Sequence, residues 1–277
     1  MKTIAIMNDK RGVGKTVTAI NLAEILVKEH QKRVVLVDCD GQMNLTRFFF
    51  PEFEPERAPT VADVLTREHE PYWRENVIQV CEGLDLLPGS PALYDLDLLA
   101  IRDRLGDPYA LERFCGVADY DGEADYFIFD CPPGYTLASV SALIAAEEVI
   151  VPMPADGLSF GGIMDIKRQL ERFWERLTCS GPQIGRVLVT QWQDSERVRQ
   201  GAELLKQMGI PAFKTVIRSP TACRIGSAAT TQDYQRWVQE YLEGWNTGGN
   251  EGEELCVGER GRCFKRTRTP RKEGAGE

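Results

Sequence analysis

Residues 3–16, TIAIMNDKRGVGKT, decide the fold of this chain. The apolar run over residues 3–8 predicts a strand, and the apolar periodicity over residues 16–29 predicts a helix. The loop between them carries two glycines and ends in Gly-Lys-Thr. Backbone N–H groups in such a loop can hold phosphate oxygens, and the positive end of the following helix adds to their field. The stretch therefore predicts a phosphate-binding loop between a strand and a helix.

This loop departs from the ordinary pattern G-x-x-x-x-G-K-[ST], because Asp9 stands where that pattern has its first glycine. It carries instead a second lysine, Lys10, five residues before Lys15. We expect Lys15 to reach the β- and γ-phosphates of a nucleotide, and the Thr16 hydroxyl to bind Mg²⁺. The candidate nucleotide-binding residues are Lys10, Arg11, Gly12, Val13, Gly14, Lys15, Thr16 and Val17.

Two other apolar runs end in carboxylates. Residues 34–40, VVLVDCD, end with Asp38 and Asp40 one residue apart, and residues 126–130, YFIFD, end with Asp130 before Cys-Pro-Pro-Gly. The carboxyl ends of parallel strands face the ligand crevice of an α/β sheet. We therefore expect these acidic side chains to lie near the phosphate loop.

Short apolar runs alternate with helical patterns along most of the chain. Further predicted strands cover residues 33–38, 84–87, 126–130, 149–152, 185–190 and 212–217, and predicted helices cover residues 160–177, 195–208 and 231–244. Residues 48–59 are predicted to be an irregular loop. The alternation predicts an α/β fold with a doubly wound, mostly parallel sheet and helices on both faces.

After Trp245 the composition changes to glycine and glutamate, and then to arginine and lysine. Residues 258–272 hold seven Lys/Arg and one acidic residue. Few apolar residues are present there to offset the entropy cost of ordering the chain. We therefore predict one folded domain over residues 1–245, which contains the phosphate loop, and a flexible basic tail over residues 246–277.

Composition narrows the class of protein. The 277 residues are enough for one large domain, and the net charge of −9 argues against an overall basic nucleic-acid-binding domain, although not against a local basic patch. No apolar run of about 18 residues and no signal-peptide pattern is present, so we expect a cytoplasmic protein. The eight cysteines form no C-x-x-C pair, which favours reduced thiols over a zinc site.

Together the motifs resemble the deviant Walker ATPases of the ParA/MinD/Soj superfamily. The phosphate loop is similar to K-G-G-x-G-K-[ST], with Arg11 in place of the first glycine. The second box is similar to D-x-D-P-Q-x-N, with Gly41 in place of proline, and residues 127–133 are similar to h-h-h-D-x-P-P. Residues 59–65, 84–89 and 145–152 extend the resemblance over about residues 1–244.

The resemblance implies an ATPase that uses ATP and Mg²⁺, and it implies a role for each residue in the motifs. Lys10, Lys15 and Asp40 would be catalytic, with Asp40 orienting or activating the attacking water. Thr16, Asp38 and Asp130 would lie around the Mg²⁺ ion. Lys10 would cross a dimer interface to the partner's nucleotide, so that ATP joins two subunits into a homodimer and hydrolysis releases them.

The resemblance also implies partners. DNA bound without sequence preference is expected, with Lys214, Arg218 and Arg224 as candidate contacts, unless these are ordinary solvated surface charges. A ParB-like centromere-binding protein would trigger hydrolysis, and the protein would be nucleoid-associated. The terminal segment has too few apolar residues at helical spacing for the membrane helix of MinD-like members, so we expect no stable membrane association.

Two alternatives remain open at this point. The first is a MinD/McdA-like ATPase that positions another cargo. The second is a metabolic P-loop synthetase that uses ATP to activate a carboxylate. Such an enzyme needs a pocket for an organic substrate, and the sequence has no His or paired-acid constellation for one outside the phosphate boxes.

Overall fold

The computed structural model describes residues 1–66, 73–103, 106–154, 159–177, 181–182, 184–191, 203, 205–218 and 228–247. Their centre is a seven-stranded sheet in the order β3-β4-β2-β5-β1-β6-β7. The strands are β1 (Lys2–Ile6), β2 (Val34–Asp38), β3 (Ile78–Cys81), β4 (Leu84–Leu87), β5 (Tyr126–Asp130), β6 (Glu148–Pro154) and β7 (Ile184–Thr190). All pairings are parallel except that of the edge strand β3 with β4.

Helices cover both faces of this sheet, as the sequence predicts. They are α1 (Lys15–Lys28), α2 (Asn44–Phe49), α3 (Val61–Thr66), α4 (Ala92–Asp103), α5 (Ala110–Asp121), α6 (Leu137–Ala145), α7 (Ser159–Leu177) and α8 (Ala228–Thr247). Short 3₁₀ turns lie at Pro55–Arg57 and Trp73–Asn76. None of the helices in the described part of the chain is long and apolar enough to cross a membrane.

The side chains of each central strand pack into two separate hydrophobic cores, one on each face of the sheet. Every residue of β1, β2 and β5 is buried, because helices cover the sheet on both sides. Successive side chains on a strand point to opposite faces. Ile4 and Ile6 of β1 therefore pack with α1 and α8, whereas Ala5 packs on the opposite face with α5, α6 and α7.

The register brings the carboxyl ends of the central strands together. Asp130 at the end of β5 pairs with Ile6 of β1 on one side and with Asp38 of β2 on the other. The phosphate loop leaves β1 at this same edge and enters α1. The fold therefore places the loop and both acidic boxes side by side.

The predicted strand over residues 212–217 is wrong. Ala212 forms only an isolated bridge with Val187, although the segment lies beside β7 and Ile217 N donates to Val189 O at 2.8 Å. The backbone N–H groups of Lys214 and Thr215 donate instead to the Glu240 carboxylate of α8, at 2.7 and 2.8 Å. Phe213 N donates to Val187 O of β7, so Thr215 N would be the next donor of a regular ladder, and the Glu240 carboxylate takes that donor instead.

Other differences are smaller. The loop predicted over residues 48–59 contains the end of α2 and a 3₁₀ turn. The last helix continues to Thr247, two residues past the predicted domain boundary, and the rest of the tail lies outside the described residues. Most of the helix predicted over residues 195–208 also lies outside them. Cys39, Cys115 and Cys131 are buried free thiols, whereas Cys81 is an exposed one.

Candidate nucleotide-binding site

The phosphate loop makes its sharp turns at its two glycines. Gly12 has a φ of 71° and Gly14 a φ of 94°, in the left-handed region where glycine is unstrained. Arg11 is exposed and is not among the described non-glycine residues with positive φ. The loop therefore holds an arginine at the position of the family's first glycine without backbone strain. Gly14 precedes α1 and supplies no side-chain cap to its first N–H groups, which suits an anion site.

Lys15 lies across the loop. Its Nζ donates to Asn8 O and to Lys10 O, both at 3.0 Å, and the residue is 8% exposed. Burial lowers the pKa of Lys15, while the negative charges of Asp130 and Asp40 act in the opposite direction. The structure thus places one predicted catalytic cation inside the loop and within electrostatic range of both acidic boxes.

Asn8 and Lys10 fix the start of the loop. The buried Asn8 side chain donates to Pro152 O of β6 at 2.8 Å and accepts from Lys10 N at 2.9 Å. The Lys10 side chain extends toward α7, with Cε 3.9 Å from the point where a Cβ on Gly162 would lie. The two lysines of the deviant motif therefore have different surroundings, since Lys15 crosses the loop and Lys10 reaches the first turn of α7.

The end of β7 braces the loop from another side. Thr190 Oγ1 donates to Val13 O at 2.9 Å, and Gln191 Nε2 donates to Gly12 O at 2.7 Å. Neither residue belongs to the site predicted from the sequence. The available signal was a pair of polar side chains at the end of a buried parallel strand, the position that faces the ligand crevice.

Asp38 is fully buried and holds the second box in shape. Its Oδ2 accepts from Thr46 N at 2.8 Å and from Thr46 Oγ1 at 2.7 Å, and its Oδ1 accepts from Asp40 N at 3.2 Å. Burial raises the pKa of Asp38 to about 6, against the lowering effect of the Thr46 hydrogen bonds. Because both oxygens bind protein donors, this geometry favours a structural role over direct contact with a metal. Thr46 is a further site residue that the predicted motifs do not include.

Asp130, unlike Asp38, has a buried oxygen that accepts no hydrogen bond from the described residues. The residue is 2% exposed, and this oxygen is Oδ1. Burial, followed by the charge of Asp38, raises its pKa to about 8, whereas the hydrogen bond from the Thr16 side chain and the charge of Lys15 lower it. A buried, incompletely paired carboxylate is costly unless a cation satisfies it.

A magnesium ion fits these residues. The orphaned Asp130 oxygen and the adjacent Thr16 hydroxyl are hard oxygen ligands. No cluster of three or more His, Cys, Asp or Glu side chains suited to a metal occurs within the described ranges. Mg²⁺ in proteins commonly binds through one or two carboxylates together with substrate phosphates and water.

Asp40 is half-buried, and its charge acts on both Lys15 and Asp130. Its Oδ1 accepts from Gln42 N at 2.9 Å. The structure therefore brings Lys15, Asp40, Asp130 and Thr16 into one site, as the sequence predicts. Thr16 and Val17 lie in the first turn of α1, and Val17 packs partly against the core between α1 and the sheet.

The predicted DNA-binding residues lie elsewhere and are close to acidic groups. Arg218 Nε and Nη2 donate to Asp233 Oδ2 and Oδ1 at 2.9 and 2.8 Å, which raises the Arg218 pKa. Lys214 is exposed beside Glu240, which accepts from its backbone N–H. Arg224 lies outside the described residues. Part of the positive charge expected to face DNA is therefore compensated by α8.

Comparison with known proteins agrees with this site. A family model described as an AAA domain matches residues 1–180. The chromosome-partitioning ATPase Soj of Thermus thermophilus is 34% identical over 230 residues, covering 82% of this chain and 84% of that protein. The chromosome partitioning protein ParA of Caulobacter vibrioides is 33% identical over 176 residues, covering 62% of this chain and 63% of that protein. The chain thus spans less than two thirds of the length of that ParA.

Solved structures share the fold. Cobyrinic acid a,c-diamide synthase of Mycobacterium smegmatis, with bound ATP analog and magnesium, has a TM-score of 0.75 at 27% identity, covering 90% of this chain and 97% of that one. A plasmid partition protein of Borrelia burgdorferi bound to AMPPNP has a TM-score of 0.71 at 22% identity, covering 88% and 98%. With the family model matching residues 1–180 and the Soj relative matching most of both proteins, the chain belongs to the ParA/MinD superfamily of P-loop ATPases.

Proposed function

We propose that this chain is an ATP-dependent switch that dimerises, binds DNA without sequence preference, and segregates plasmid or chromosomal DNA with a ParB-like partner. The observation that carries the proposal is the position of Lys15 across the phosphate loop, beside the buried Asp130 with its orphaned oxygen. The similarity to Soj over 82% of the chain supports the choice of partition among the functions of the superfamily.

Nucleotide binding would use the amides of the loop and the ammonium of Lys15, exchanging its bonds to Asn8 O and Lys10 O for phosphate oxygens. Thr16 and Asp130 would hold Mg²⁺, with Asp38 shaping the neighbouring box. The bound ion supplies positive charge that neutralises the phosphates and the charge developing on them.

Hydrolysis would depend on positioning and on charge. Asp40 is the proposed residue that orients or activates water, as the resemblance of its segment to the second box of the family implies. Its carboxylate is half-buried and its charge acts on Lys15, so it lies within the site. Lys15 stabilises negative charge on the transferring phosphoryl group. We propose that turnover is slow and that the ParB-like partner stimulates it.

Dimerisation would use Lys10, whose side chain reaches α7 instead of crossing its own loop. In the dimer this lysine contacts the nucleotide of the partner subunit, so that bound ATP joins the two copies. The protein would act in the cytoplasm on the nucleoid, without stable membrane association. Lys214, Arg218 and Arg224 are the proposed DNA contacts, and the basic tail within residues 246–277 would add a second one.

The test is retention of the purified chain on random-sequence duplex DNA with ATP or ADP and Mg²⁺. We expect retention with ATP and loss with ADP. We also expect it to weaken by about 10³-fold between 50 and 200 mM salt if about six phosphates are contacted. Lys15→Ala is the control that lacks nucleotide binding. An ATP-bound chain that ignores DNA at low salt would contradict the proposal.

A second candidate is a synthetase that uses ATP to activate a carboxylate, because the cobyrinic acid a,c-diamide synthase structure has a TM-score of 0.75. The discriminating measurement is ATP turnover with DNA and a ParB-like protein, compared with turnover in the presence of small carboxylic acids and an amine donor. Stimulation by the small molecules alone would favour the synthetase. A positioning ATPase for other cargo, as in McdA-like proteins, would keep the DNA dependence but respond to a different protein partner.

A further inference from the structure

Helix α4 contacts the second acidic box through Tyr94. The buried Gly41 lies against this ring, so that a Cβ on Gly41 would come within 2.8 Å of two ring carbons. The phenol oxygen of Tyr94 accepts a hydrogen bond from Gln42 Nε2 at 2.6 Å. Tyr94 therefore occupies the space that a side chain at position 41 would need, and it also binds the next residue along the box.

The same helix is fixed to α6, the helix that follows Asp130 and the Pro-Pro-Gly turn. Asp97, one turn after Tyr94, accepts from Leu137 N at 2.7 Å, and Leu137 is the first residue of α6. Leu93 and Leu96 of α4 are buried in the main core. Because its apolar face and Asp97 are both held, the backbone of α4 is fixed beside residues 41 and 42, and the Tyr94 ring, which is 45% exposed, covers them from there.

The loop bearing Asp40 is packed on its other side by Gly89. A Cβ on Gly89 would lie 2.9 Å from Asp40 O and 3.0 Å from the Asp38 carboxyl carbon. Gly89 N also donates to Thr46 Oγ1 at 3.0 Å, and that hydroxyl donates to Asp38. Residues 40–42 are therefore held between Gly89 and α4.

Two hydrogen bonds connect the Tyr94 side chain, through Gln42, to the Asp40 carboxylate. Tyr94 Oη binds the Gln42 side chain, and the backbone N–H of Gln42 donates to Asp40 Oδ1 at 2.9 Å. We propose that Tyr94 is a positioning residue for Asp40, and that Gly41 is present because Tyr94 fills the place of a side chain there. The role rests on the proposed function of Asp40 in ATP hydrolysis.

The experiment compares Tyr94→Phe, Tyr94→Ala, Gly41→Ala and the double variant Tyr94→Ala/Gly41→Ala in the full chain. Tyr120→Ala is the matched control, since Tyr120 of α5 is 92% exposed. For each variant we measure kcat and KM for ATP hydrolysis with Mg²⁺, nucleotide affinity and the thermal midpoint. A change in KM or in nucleotide affinity would indicate a disturbed phosphate loop. A change in kcat alone would indicate that Asp40 has moved.

Tyr94→Ala should lower kcat by about tenfold or more with little change in KM, because a displacement of about 1 Å in a catalytic group can cost about 100-fold. Tyr94→Phe keeps the ring and loses the bond to Gln42, so it should show a smaller loss. Gly41→Ala should have the lowest kcat of the single variants. The double variant lacks the ring, so its kcat should be higher than that of Gly41→Ala.

Unchanged kcat in Tyr94→Ala would overturn the positioning role, as would a Gly41→Ala variant as active as the unsubstituted chain. Equal activity of Gly41→Ala with and without the Tyr94 ring would overturn the proposed dependence of position 41 on Tyr94. These results leave the proposed ATPase function intact. Absence of ATP turnover in the unsubstituted chain, with DNA and partner present, would instead overturn both.

Discussion

Asp38 and Asp130 lie opposite each other on the neighbouring strands β2 and β5, yet their hydrogen bonding is unequal. Both oxygens of Asp38 accept protein hydrogen bonds, whereas Asp130 Oδ1 has no partner in the described residues. Asp38 thus stabilises the segment that follows β2, whereas Asp130 keeps one oxygen available for a cation. Two similar residues at the ends of similar strands acquire different chemistry because the segments after those strands differ.

This inequality predicts unequal effects on stability. Asp38→Ala leaves the Thr46 N–H and hydroxyl without their acceptor, which should cost about 1–3 kcal/mol for each buried donor left unpaired. Asp130→Ala removes a carboxylate whose charge is poorly compensated, so its cost should be smaller. Urea unfolding of both variants without Mg²⁺ or nucleotide measures the difference. Equal destabilisation would contradict the structural role of Asp38.

The pKa of Asp130 predicts a dependence of stability on pH. In the folded chain burial raises this pKa to about 8, well above the ordinary value in an unfolded chain. The folded state therefore binds the proton more tightly, and stability falls as pH rises from about 4 towards 8. Asp130→Asn cannot ionise, so its stability should decline less over that range in EDTA. Parallel pH profiles for the variant and the unsubstituted chain would show that Asp130 is not responsible.

Asp40→Ala should separate nucleotide binding from hydrolysis. The loop and Lys15 are unchanged in this variant, so ATP should still bind, while turnover should fall and the ATP-bound dimer should accumulate. Sedimentation with ATP and a phosphate-release assay measure the two effects. Lys15→Ala is the comparison and should lose binding itself. Normal phosphate release by Asp40→Ala would remove this residue from its proposed role.

Arg11→Gly tests whether the unusual loop residue is a handicap. Arg11 has no positive φ, so glycine relieves no backbone strain, and turnover should not increase. Greater freedom in the unfolded chain should lower stability by about 0.5–1 kcal/mol. Steady-state kinetics and thermal unfolding measure these effects. Faster turnover in the glycine variant would mean that the arginine side chain itself obstructs the site.

Lys214→Ala and Arg218→Ala should behave differently. Arg218 pairs with the buried Asp233, so its loss should destabilise the chain as well as weaken DNA retention. Lys214 is exposed, and its loss should leave stability unchanged. If Lys214 contacts one phosphate, its replacement should reduce the slope of log affinity against log salt by about 0.9. An unaltered slope would exclude Lys214 from the DNA interface.

The phosphate loop and the carboxylates at the ends of β2 and β5 could be predicted because each depends on a short stretch of sequence. The glycine turns, the strand before Gly12 and the helix after it are local features. Parallel strand ends then meet by a general rule. The same reasoning predicted the doubly wound sheet, since helical and strand periodicities alternate along the chain.

The contacts that tune the site were not predictable in this way. Asp38 depends on Thr46, and Gly41 on Tyr94, through packing that no short pattern encodes. The strand expected over residues 212–217 failed because Glu240, on a later helix, binds its backbone donors. Phe213 and Ile217 of this segment are buried, but apolar residues cannot indicate which acceptor the backbone N–H groups bind.

The support that β7 gives to the phosphate loop has a consequence for how the protein is made. The hydrogen bond from Thr190 Oγ1 to Val13 O joins two residues that are 177 positions apart in the chain. During synthesis the loop leaves the ribosome early and must wait for β7 before Thr190 and Gln191 can hold it. A nascent chain that ends before β7 lacks these two hydrogen bonds, so we expect its full nucleotide affinity to develop only after β7 has been made.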